Sequence, residues 1–161
     1  MARDYRSGFA ATGRQPTHKS GWMPRWLNRD ITLLIALQAL YEADIVGHDP
    51  IETLNRDLAE EGCDARVAAQ ARHLVEGVVA NRAEIDRRLV QAAPAWPLDQ
   101  MPPVDKNLLR LAIYELLFDN RHVPMKAAIN EAVEIAKVFG RESSSRFVNG
   151  VLGTVVAGQT S

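Results

Sequence analysis

Between residues 108 and 117 the apolar side chains fall at offsets 0, 1, 4, 5, 8 and 9: Leu108, Leu109, Ala112, Ile113, Leu116 and Leu117. That spacing closes on one face only if the backbone turns about 3.6 residues per repeat, so it demands a helix and excludes a strand. The same offsets return in Phe147, Val148, Val151, Leu152, Val155 and Val156. No alternating apolar–polar run competes with them anywhere in the chain. Aromatic residues make up 6% of the sequence, and Ala, Leu and Val are plentiful, which again favours helix over sheet.

Punctuation divides the rest into further helices. Asn28 is placed to cap a first helix, and from Ile31 to Ile45 apolar residues cover nearly every face, as in a central buried helix. Asp49 followed by Pro50 reads as a cap and first position. Ile51, Leu54 and Leu58 then share a face, and Glu61-Gly62-Cys63 breaks the pattern. Asp64 caps a longer helix with Val67, Ala71, Leu74, Val75 and Val78 inward, and Asn81 with Glu84 has the spacing of a capping box ahead of Ile85 and Leu89. Pro94, Pro97, Pro102 and Pro103 fall within ten residues, which predicts an extended connector. Asp105 opens the next helix. Pro124 starts another, with Ile129, Ala132, Val133 and Ala136 inward and Gly140 as its stop. Ser143 or Ser144 caps the last. Gly150 and Gly153 inside it each cost about 1 kcal/mol relative to Ala, which predicts close approach by a neighbouring helix. The expected fold is therefore all-α, a compact bundle of about seven helices in two sub-bundles.

Charge is unevenly placed. Residues 1–29 hold Arg3, Arg6, Arg14, Lys19, Arg25 and Arg29 against Asp4 alone, a balance of +5, while the whole chain sums to −1. Residues 1–24 lack a hydrophobic period and read as a flexible basic arm, a solubilising tail or a local binder of polyanions; 25–161 read as the helical domain. Cys63 is the one cysteine, so no internal disulfide forms and a cytoplasmic compartment is expected. The most apolar run, Ile31 to Leu40, is far short of the ~20 residues that span a bilayer, and no secretory signal is evident.

No reaction centre stands out. Cys63, His18, His48, His73 and His122 lack metal-ligand spacing, and neither a phosphate-binding loop nor a GxGxxG run is present. Neither enzyme activity, nor a cofactor, nor a metal is expected. Binding features are easier to find. Asp105 suits a helix N-terminus, while Lys106 and Arg110 lie four apart on one face, beside a phosphate or in a salt bridge to the acidic body. Arg146, Phe147 and Asn149 stand together, and a Phe beside an Arg and an Asn is the chemistry that holds unpaired bases, unless the ring is core. The Tyr41 ring suits a core or an interface equally.

These segments carry a resemblance. Val104-Asp105-Lys106 through Leu116 resembles the "VDK..LR.A.YEL" signature of the NusB family. Val123-Pro124 through Val133, with Lys137, Phe139 and Gly140, resembles "VP.K.AINEAVE.AK.FG". Phe147 to Gly153 resembles "FVNGVLG", and Ala36 to Tyr41 resembles "ALQALY". The likeness covers residues ~28 to 157. It implies binding of boxA-type single-stranded RNA, a heterodimer with NusE (a small-subunit ribosomal protein), and association with the elongating RNA polymerase through other Nus factors. It places Tyr41 and Asp105 at the NusE face, and Gln38, Lys106, Arg110, Arg146 and Phe147 at or near the RNA face, with Arg29 as a phosphate contact and Arg25, from the basic stretch before it, expected as another. The family's arginine-rich opening is thinned here to Arg29 followed by Asp30. The basic arm, with Arg14, Lys19 and Arg25, is expected to stand in part for it; alternatively the chain keeps NusE and has given up RNA. NusB-like domains also occur fused to RNA cytosine methyltransferases, but no βαβ pattern or Gly-rich cofactor loop supports that reading here.

Overall fold

The structure, a computed structural model, describes residues 25–119, 121 and 123–159. The proposed basic arm, residues 1–24, lies outside the described residues. Seven α-helices and no strand occur among them. They are α1 Arg25–Val46, α2 Pro50–Glu61, α3 Ala65–Ala80, α4 Arg82–Ala92, α5 Pro103–Ile113, α6 Met125–Phe139 and α7 Ser144–Gln159. The chain divides into two compact units, Met1–Glu76 and Gly77–Ser161.

In the first unit, α1 buries Leu33 to Leu37, Ala39, Leu40 and Ala43, so the all-round apolar reading holds. The helix begins at Arg25 and not at Asn28. Extending a nucleated helix by a turn costs little, so a good capping residue need not mark its start. Asp49 accepts from the Ile51 N–H and Pro50 takes the first position of α2, as its sequence requires. Gly62 ends α2 at φ 65°, a left-handed conformation that favours glycine. Asp64 then accepts from the Arg66 N–H at 2.7 Å and opens α3. Thr32 donates to Gln70 Oε1, which ties α1 to α3.

In the second unit, α5 is the central helix. It packs against α4, α6 and α7, and residues 107–113 are all buried. Leu116 and Leu117 are only half-buried. A π turn over Tyr114–Phe118, closed by the Asp119 N–H on the Tyr114 carbonyl, takes the stripe out of phase before they are reached. The proline-rich connector holds one 3₁₀ turn, Leu98–Gln100.

Two local expectations are corrected and a third is narrowed. Asn81 sits ahead of α4, but its amide donates back to the Gly77 carbonyl, and Glu84 is taken by Arg87 and Arg88. Hydrogen bonds from those two arginines lower the Glu84 carboxyl to about pKa 2. The helix break is there without the capping box. Ser144 is the first residue of α7, its hydroxyl committed to Asp105 and the Arg141 N–H, so of the two serines it is Ser143 that stands at the cap position, its carbonyl accepting from the Phe147 N–H. Finally, Gly150 and Gly153 are exposed, with nothing within 4 Å of where a Cβ would stand. Glycine is instead needed at Gly77, where a Cβ would overlap the Tyr114 ring, and at Gly140, where it would meet Ser144.

Candidate nucleic-acid interface

The candidate residues fall on both units. On the first, Arg29, Gln38 and Tyr41 of α1 are each half-exposed. Arg25 lies in the same helix four positions before Arg29, because α1 starts earlier than its sequence suggested.

On the second unit, α5 departs furthest from expectation. Lys106 is half-exposed. Arg110, four residues on, is only 3% exposed. Its Nε donates to Asp86 Oδ1 at 2.8 Å and its Nη2 to Oδ2 at 3.1 Å, a two-pronged pair across α4 and α5. Nη1 donates to Asn107 Oδ1 at 3.2 Å, and Asn107 in turn donates to the Pro103 carbonyl. Arg82 also reaches Asp86 from the preceding turn. The guanidinium is therefore an internal strut. The guanidinium turns to Asp86 on the packed neighbour α4 and not to solvent beside Lys106, so the two cations do not share an exposed face. Of the two partners the spacing allowed, the salt bridge is the one present.

Asp105 is likewise withdrawn, at 3% exposure. Its Oδ2 accepts from Ser144 Oγ at 3.0 Å, and its buried Oδ1 has no hydrogen-bond partner among the described residues. Burial pushes its carboxyl above the usual carboxylate range, against the hydrogen bond from Ser144 and the charge of Arg141. The residue expected at a partner face instead ties the first turn of α5 to the first turn of α7. That tie sets the position of Arg146, Phe147 and Asn149, which lie in the first two turns of α7.

Arg146 and Asn149 are exposed, and Phe147 is half-buried. Among the described residues no carboxylate pairs with Arg146. The Phe147 ring meets Trp96 of the connector edge to face, with centroids 5.9 Å apart and planes at 63°. Nothing in the residue pattern singled out Trp96. The one available signal was a large aromatic residue one position before Pro97 and two after Pro94, in a segment with no hydrophobic period to claim it. Arg146 and Asn149, three residues apart, are neighbours on the surface of α7, while Phe147 turns to Trp96.

Among the described residues no group of three or more His, Cys, Asp and Glu side chains could hold a metal ion, and no helix is long and apolar enough to cross a membrane.

Comparison with known proteins agrees with the sequence motifs. The model of the NusB family matches residues 31–157. The transcription antitermination protein NusB of Chloroflexus aggregans is 52% identical over 124 residues, covering 76% of this chain and 83% of that one. Its namesake in Roseiflexus castenholzii is 50% identical over 124 residues, covering 76% and 87%. Among solved structures, T. maritima NusB superposes with a TM-score of 0.75 at 35% identity, covering 80% of this chain and 90% of that one. A crystal structure of antitermination factors NusB and NusE in complex with dsRNA gives a TM-score of 0.74 at 26% identity, covering 81% and 97%. The helical architecture, the ordered motifs and these likenesses have one common owner: the chain belongs to the NusB family.

Proposed function

We propose that this protein is a cytoplasmic transcription antitermination factor that binds boxA-type single-stranded RNA together with NusE. Through other Nus factors the pair joins the elongating RNA polymerase, and the protein acts by binding rather than by catalysis. The observation that carries this reading is that Arg146 and Asn149 are exposed in the same two turns of α7 that hold Phe147, in a chain whose relatives are named antitermination proteins. The solved complex of NusB and NusE contains double-stranded RNA. The aromatic surface on this chain favours unpaired bases, because only a splayed base offers its face to a ring. Phosphate contacts come from Arg25, Arg29, Lys106 and Arg146, base contacts from Phe147 and Gln38, and Tyr41 serves the NusE contact. Arg110 and Asp105 are left out, since both are spent inside the second unit.

A second reading has an observation in its favour. Asp30 follows Arg29 directly and repels phosphate, which suits a paralogue that keeps NusE and binds RNA weakly or not at all.

Titration of labelled boxA RNA, with and without NusE, at several salt concentrations separates the two. The first reading expects RNA affinity that falls steeply with salt and rises with NusE, and a slope reduced by about 1 in Arg146→Ala. Deleting residues 1–24 should weaken binding sharply at low salt. Capture of NusE with no RNA affinity at any salt would establish the second reading.

A further inference from the structure

Trp96 stands 47% exposed, although tryptophan is highly buried on average. It is not on a floppy segment. Pro94 and Pro97 fix the backbone on either side, and the Trp96 N–H donates to the Ala93 carbonyl at 3.0 Å. Its ring is held edge to face on Phe147. In that geometry the rings meet edge to face and not plane to plane, so neither is stacked on the other, and the half-exposed indole reaches water. A preset aromatic ring loses little freedom when a ligand stacks on it. Arg146, exposed and without a carboxylate among the described residues, supplies the charge that a nucleotide's phosphate needs. The ligand that matches an exposed indole and an exposed guanidinium on the same unit is an unstacked nucleotide.

We propose that Trp96 is a base-stacking residue, its indole and the Phe147 ring forming a two-ring platform for successive unpaired bases of single-stranded RNA. This rests on the RNA-binding reading above and extends it from α7 to the proline-rich connector. The platform discriminates against duplex RNA, whose bases are already stacked on one another. It places the stacking surface on a part of the chain that carries no charge pattern and no helix signature.

The test uses the full chain with Trp22 and Trp26 replaced by Phe, so that Trp96 is the sole indole. The probe is a single-stranded RNA of about 12 nucleotides, within the range of common single-strand sites, added with and without NusE. Stacking predicts strong quenching of the Trp96 emission that saturates together with binding, measured in parallel by anisotropy of the labelled RNA. The same RNA annealed to its complement should quench far less. In the otherwise native chain, Trp96→Ala should weaken binding about 5- to 150-fold, the range for losing one stacked base. Trp96→Phe should retain most of it. Should Trp96→Ala melt early, the quenching and the Phe variant still decide. RNA that binds without quenching Trp96, or that quenches equally as a duplex, overturns the stacking role and leaves the RNA-binding reading intact. Failure of the native chain to bind this RNA at low salt, with or without NusE, overturns that reading and the stacking role with it.

Discussion

Replacing Asp86 by Ala removes both acceptors of the Arg110 fork and leaves a guanidinium that is 3% exposed with Asn107 alone. Breaking one side of a fully buried pair costs about 3–5 kcal/mol, because the remaining charge stays away from water. Two features reduce that here. The Asp86 side chain is itself 21% exposed, so water can enter the space it leaves, and Asn107 keeps one bond. We expect a loss of about 2–4 kcal/mol. For a chain of this size that lowers the melting temperature by roughly 5–15 °C, read by calorimetry or by circular dichroism. The double variant Asp86→Leu/Arg110→Met removes the pair without stranding a charge and should recover most of the loss. It should also bind RNA with the native salt slope, since the guanidinium it removes faces Asp86 and not solvent. An Asp86→Ala protein melting within about 1 °C of the parent would refute the strut. A salt slope lowered by about 1 in the double variant would return Arg110 to the phosphate contacts.

The packing sets three further outcomes. Gly77→Ala drives a methyl group into the Tyr114 ring and should cost about 1–3 kcal/mol in urea unfolding, with recovery when Tyr114 is also shortened to Leu; no loss in the single variant would show that the ring is free to move. Gly150→Ala and Gly153→Ala meet open space in a helix interior and should each stabilise by about 0.5–1 kcal/mol, and a loss at either would reveal a contact the fold does not display. Burial raises the Asp105 carboxyl in the folded chain, so the folded state holds that proton more tightly than the unfolded one. Stability from Asp105 is thus fullest below the unfolded value near 3.8 and declines as pH rises through the folded value. Urea titrations from acid to neutral pH should show that decline in the parent and a flatter profile in Asp105→Asn, and parallel profiles would count against it.

The helices were legible because their signals are local. The repeat at Leu108 to Ile113 and at Val148 to Val155, the Asp49-Pro50 start and the Gly62 stop each depend on residues a turn apart. The features that escaped depend on neighbours distant in sequence. Lys106 and Arg110 share a helix face by spacing, but only the fold brings Asp86, 24 residues away, onto Arg110. Asp105 has the makings of a cap, and its real partner, Ser144, is 39 residues on. Gly77 and Gly150 are indistinguishable as letters in a helix, and the Tyr114 ring alone tells which one is needed. Trp96 lies in a connector with no period, so its pairing with Phe147 had no signal to announce it. The motif-bearing residues of α7 were found because the chain keeps them contiguous.

The widened winding over Tyr114–Phe118 spans five residues from carbonyl to N–H where an ordinary turn spans four. It therefore stores one surplus residue in the middle of an otherwise regular second unit. Chain length is negotiable at that point: removing a single residue there returns the winding to the standard pitch while α5 keeps its register. Insertions and deletions among descendants of this sequence have a natural address there, and the segment between it and α6 is the one that would be re-aimed.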